Sequence, residues 1–99
     1  MNVKINGNTI TLPNGIKRTF KATVQRVIEL EELGWFILLD TTISNNVYAL
    51  KPNGGLWWRL KSEQQLFVKQ LIIETIDCFK IQTVDDSVYR LNPNSGILF

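Results

Sequence analysis

Val47-Tyr48-Ala49-Leu50-Lys51-Pro52-Asn53-Gly54-Gly55-Leu56-Trp57-Trp58 returns 41 positions later as Val88-Tyr89-Arg90-Leu91-Asn92-Pro93-Asn94-Ser95-Gly96-Ile97-Leu98-Phe99. Six of the first nine positions are identical and the closing pair stays apolar. Self-similarity at a fixed period marks a structural unit used more than once. Upstream the match continues at a spacing of 44, where Val24, Val27, Ile28, Trp35 and Ile37 face Val68, Leu71, Ile72, Phe79 and Ile81. The change of spacing puts a three-residue deletion in the loop after Asp40. A partial copy, Thr9 to Ile16, opens the chain with the strand-turn-strand half of the unit.

Each copy carries the same turn: Pro13-Asn14-Gly15, Pro52-Asn53-Gly54-Gly55 and Pro93-Asn94-Ser95-Gly96. Proline presets φ, Asn tolerates the next position, and Gly accepts the left-handed residue that rejoins the strand, a hairpin connection with a G1 bulge. The flanking segments are rich in β-branched and aromatic residues, as strands are. Trp35 to Thr42 and Phe79 to Val84 supply one more strand before each hairpin. The first segment of each unit is ambiguous, because 23–33 is rich in Glu and Leu, and Ser62 with Gln65 has the form of a capping box. Against a helix, Val68, Ile72, Ile73, Thr75 and Ile76 are β-branched, and apolar residues point in every helical direction. The expectation is an all-β antiparallel meander of two four-stranded, blade-like repeats, 23–61 and 62–99, after an N-terminal hairpin, 1–22; the alternative is α+β with helices at 23–33 and 62–74. All 99 residues form one domain.

Asn46 to Trp58 resembles the repeat of quinoprotein-like β-propellers: a Val-Tyr-Ala-Leu strand, a polar turn with Gly, then an apolar residue and Trp. Val24 to Phe99 also looks like a group of small bacterial all-β proteins in which a Leu-rich strand ending in Asp, here Trp35 to Asp40, precedes such a hairpin. The resemblance implies a fold. It transfers no cofactor or catalytic residue, since a quinone site needs many blades.

The two copies differ on one face. Lys80, Gln82 and Arg90 occupy a solvated face in the second, and the first has Phe36, Leu38 and Ala49 there. Parity adds Trp57, because adjacent tryptophans on a strand point to opposite faces. Phe36, Leu38, Ala49 and Trp57, bordered by Arg59, are therefore expected to meet either the N-terminal hairpin or another chain, as Trp and Arg do at interface hot spots.

Composition excludes much chemistry. With no His, one Cys and one Met, the chain lacks His-metal sites, Ser-His or Cys-His pairs and CxxC motifs. Glu29, Glu31 and Glu32, and the turn pair Asp85-Asp86, are neighbours rather than carboxyls held across a cleft. Cys78 aligns with Gly34, at a buried or turn position. No catalytic residue, cofactor or metal is assigned, and no enzyme is expected. No apolar run is long enough to span a membrane, so a soluble, cytoplasmic protein is expected.

Lys4, Lys17, Arg18, Lys21 and Arg26 all precede the first acidic residue, Glu29, although the formal net charge is only +2. A small bacterial or phage-type module that binds a protein partner or itself is the first functional expectation. The alternative is a nucleic-acid-binding β-barrel that uses Lys17, Arg18, Lys21 and Arg26 with Phe20 as a stacking aromatic. A third is a sugar or small-molecule binder that uses tryptophan.

Overall fold

The computed structural model describes residues 3–99, so the first two residues of the expected hairpin segment lie outside the described residues. Every regular element described is a strand. They are β1 (Lys4–Asn6), β2 (Thr9–Thr11), β3 (Lys17–Thr19), β4 (Val24–Leu30), β5 (Gly34–Leu39), β6 (Val47–Leu50), β7 (Leu56–Arg59), β8 (Val68–Thr75), β9 (Cys78–Thr83) and β10 (Val88–Leu91). Neither 23–33 nor 62–74 is helical. The hydroxyl of Ser62 accepts from the Gln64 amide in a local turn, and β-branched residues carry the chain on as β8.

Three antiparallel sheets result, β1-β2-β3, β4-β5-β6-β7 and β10-β9-β8. Two strand counts differ from the expected hairpin and pair of four-stranded repeats. At the N-terminus, β1 folds back on β2 through a tight turn with Gly7 at φ 61°, so the hairpin gains a strand. In the second repeat the last strand shrinks to Leu98 opposite Leu91, because Ile97 leaves to bridge Lys61, two residues beyond the end of β7, in parallel.

The turns and loops of the repeats close with matching backbone hydrogen bonds although their lengths differ. In the first two hairpins the amides of Gly15 and Gly54 donate to the carbonyls of Leu12 and Lys51, and both glycines have positive φ. The third turn is one residue longer and gives Gly96 that role. The predicted deletion is visible as two matching hydrogen bonds of different span, Leu39 N to Asn46 O and Thr83 N to Ser87 O. Asn45 and Asp86, 41 positions apart, are the described non-glycine residues with positive φ.

The sheets are stacked as layers. One face of the central sheet, Val24, Val27, Trp35, Ile37, Leu39 and Leu50, packs on Ile10, Leu12, Phe20 and Ala22 of the N-terminal segment. Its other face, Phe36, Leu38, Val47, Ala49 and Trp58, packs on Val68, Leu71, Phe79, Ile81 and Leu91 of the second repeat. Phe79 and Ile81 align with Trp35 and Ile37, so each repeat lays the same face on the back of the layer before it.

This arrangement corrects the expected interface. Phe36 and Ala49 are fully buried and Leu38 nearly so, but what covers them is the second repeat, neither the N-terminal hairpin nor another chain. Lys80, Gln82 and Arg90 are polar at the equivalent positions because no layer follows theirs among the described residues.

Candidate functional site

Trp57 departs from strand parity. The pairing of β6 with β7 runs Ala49 to Trp58 and then Leu50 to Leu56, so Trp57 is the extra residue of a bulge. A bulge redirects side chains. Both tryptophans consequently lie on the Phe36 side, with ring centroids 6.5 Å (Trp57) and 5.9 Å (Trp58) from that of Phe36.

The two indoles then serve different ends. Trp58 is buried, its Nε1 donates to Pro93 O at 2.9 Å, and Gly96 lies so close that a Cβ there would come within 2.6 Å of the ring. It fastens the first repeat to the turn of the second. Trp57 stays half-buried and walls a concavity of about 460 Å³ with Glu32, Leu33, Lys51, Pro52 and Asn53. The residues come from the β4–β5 turn, the β6–β7 turn and the start of β7, at one end of the central sheet.

Gly34 makes this meeting of turns possible. Its φ is 124°, and a Cβ there would lie 2.1 Å from Leu50 O. Only a residue without a side chain lets the start of β5 pass this close to the end of β6. A second depression of about 300 Å³ continues on the far side of Glu32 and Leu33, lined also by Leu30, Glu31 and Ile76. Ile76 is 62% exposed, in the β8–β9 turn that matches the β4–β5 turn. An apolar floor therefore runs from Pro52 and Trp57 through Leu33 and Leu30 to Ile76.

Arg59 does not border this concavity. It lies on the opposite face, 5.4 Å above the Tyr48 ring, and donates through Nη2 to Ser44 O at 2.7 Å and through Nε to Asn45 O at 3.2 Å. Its function is to hold the long loop between β5 and β6.

The four bases of the nucleic-acid alternative are divided. Lys17 shares the outer row of the N-terminal sheet with Lys4 and Thr11, and Lys21 is exposed just after β3. Arg18 turns inward, where its Nε donates to Gly54 O at 2.8 Å, and Arg26 donates to Leu71 O at 2.9 Å from the other side of the central sheet. Phe20, the expected stacking aromatic, is buried edge-on against Tyr48 with ring centroids 5.2 Å apart.

The turn carboxylates have local tasks. Asp85 accepts from the Thr83 hydroxyl and the Ser87 amide, and Asp40 from the hydroxyl and amide of Thr42. Those bonds, the threonine hydroxyls first, hold both carboxyls below their ordinary 3.8. Cys78 is half-buried at the start of β9.

Sequence reasoning found Trp57 but missed Leu33, Lys51 and Ile76, and gave Trp58 no role. The pair Gly54-Gly55 before two tryptophans was the available signal of an irregular strand start. No family model and no curated protein matches the chain.

Proposed function

We propose that the chain is a non-catalytic binding module whose partner is another protein, held by an apolar side chain seated against Trp57. The observation that supports this reading is the contrast among the three tryptophans. Trp35 and Trp58 are each only 5% exposed, whereas Trp57 remains half-buried over a concavity floored by Leu33 and Pro52. A partly exposed indole beside apolar groups has the composition of an interface anchor.

Self-association through Phe36, Leu38 and Ala49 loses its support, because those side chains are used inside the chain. The test is selection of a random-peptide phage library on the full chain, with the Trp57→Ala chain as counter-bait. Peptides that bind the native chain and not the variant are expected, with the fluorescence of Trp35 and Trp58 certifying the variant's fold. Absence of enrichment, or peptides that bind both chains alike, overturns the proposal.

A further inference from the structure

We infer that the partner segment is cationic as well as apolar, placing Lys or Arg beside Glu31 and Glu32 while an apolar neighbour occupies the Trp57 concavity. This rests on the docking reading proposed above and adds the chemistry of the partner.

Glu32 lines both depressions and Glu31 lines the second. Both are exposed in the β4–β5 turn, with Asp77 exposed after Ile76 in the facing turn. The ion pairs among the described residues are Lys69 with Asp86 and Lys80 with Glu74, so Glu31 and Glu32 have no basic partner. Among the described residues, Lys51 is the one basic residue lining either depression. The floor is apolar and its rim carries a net negative charge. A segment with apolar and basic residues complements both, and rim charges of opposite sign steer and select partners.

A second copy of the chain fits less well. Its basic outer face presents Lys4 and Lys17 among Thr11, Thr9, Thr19 and Asn6, with no apolar side chain to enter the concavity. Through that face a second copy brings bases without an apolar group, whereas an extended segment of a protein partner supplies both together.

The experiment is the same library selection run in parallel on the native chain and on a Glu31→Lys, Glu32→Lys variant. Both positions are exposed turn residues, and thermal unfolding verifies the variant's fold. Peptides selected on the native chain are expected to be rich in Lys and Arg next to large apolar residues. Their affinity is expected to fall about fivefold from low to high salt, as exposed charge pairs are screened. The reversed chain is expected to select acidic peptides.

Neutral or acidic peptides whose binding still depends on Trp57 overturn the cationic inference and leave the docking reading standing. No enrichment, or binding that survives Trp57→Ala, overturns both. A mass by light scattering that rises with concentration and returns to one chain on Glu32→Lys makes the occupant a second copy, and overturns the inference as well.

Discussion

Asn46 shows how much one side chain contributes to the joining of layers. It is fully buried, and its Nδ2 donates to Leu39 O at 2.7 Å and Val68 O at 2.8 Å while its Oδ1 accepts from Val68 N at 2.8 Å. The amide acts as a strand rung between the loop of the first repeat and the start of β8. Alanine there would leave a buried amide and carbonyl of Val68 without partners. A buried donor or acceptor left unsatisfied costs about 1–3 kcal/mol, so Asn46→Ala is expected to lose roughly 3 kcal/mol of stability in urea unfolding. A loss within error of zero would mean that the layers do not rely on this rung. Arg18 and Trp58 make the same kind of joint. Paired with Ile10 and Ala49 at equivalent ladder positions, they donate to Gly54 O and Pro93 O in the turn of the next layer.

At the scale of elements, the connections β5–β6 and β9–β10 differ by three residues, and each folds an aspartate onto a threonine hydroxyl, Asp40 onto Thr42 after it and Asp85 onto Thr83 before it. A carboxyl whose pKa is depressed by folding contributes stability that is present above its unfolded value, 3.8, and lost as pH falls through the folded value. Stability is therefore expected to be level from neutral pH down to about 4, with no His to titrate between, and to fall below that. Asp40→Asn with Asp85→Asn is expected to flatten the acid limb, which thermal unfolding across that range measures; an unchanged limb would place the acid sensitivity in other carboxylates. The turns, the loop deletion and the solvated face of β9 were legible because they depend on local chemistry and on period. The course of 24–30 was less so, since Glu and Leu suit helices and only pairing with β5 decides for a strand. The Trp57 bulge was not legible. Strand parity assumes a regular ladder, and one extra residue opposite Ala49 and Leu50 defeats it. The bulges fall on β4, β7 and β8, the strands at the edges of their sheets, where they hinder unwanted pairing.

In the whole molecule, three layers laid front to back would continue indefinitely if every back face were apolar. Repeat architectures end such stacks with polar terminal faces. The N-terminal sheet turns Lys4, Thr11 and Lys17 outward, and the second repeat ends the other side with Lys80, Gln82 and Arg90, interspersed with Ile72 and Val88. Of these, Lys80, Gln82 and Arg90 stand where Phe36, Leu38 and Ala49 receive the next layer. Copying the inner face onto the outer one, as Lys80→Phe, Gln82→Leu and Arg90→Ala, would present the same apolar surface with no layer to cover it. Exposed apolar patches of this kind drive association, and a surface meeting its own copy does so about a two-fold axis. The native chain is expected to show no association through its end faces, and the triple variant to run as a dimer or larger species by light scattering on a sizing column. The substitutions leave both buried clusters untouched, so the variant is expected to keep native thermal unfolding at low concentration. A variant that remains at the mass of one chain would mean that charge at the stack's end is not what limits it to three layers. The departure of the chain at Ile97, which bridges Lys61 instead of extending the three-stranded last sheet, would then be the terminating feature.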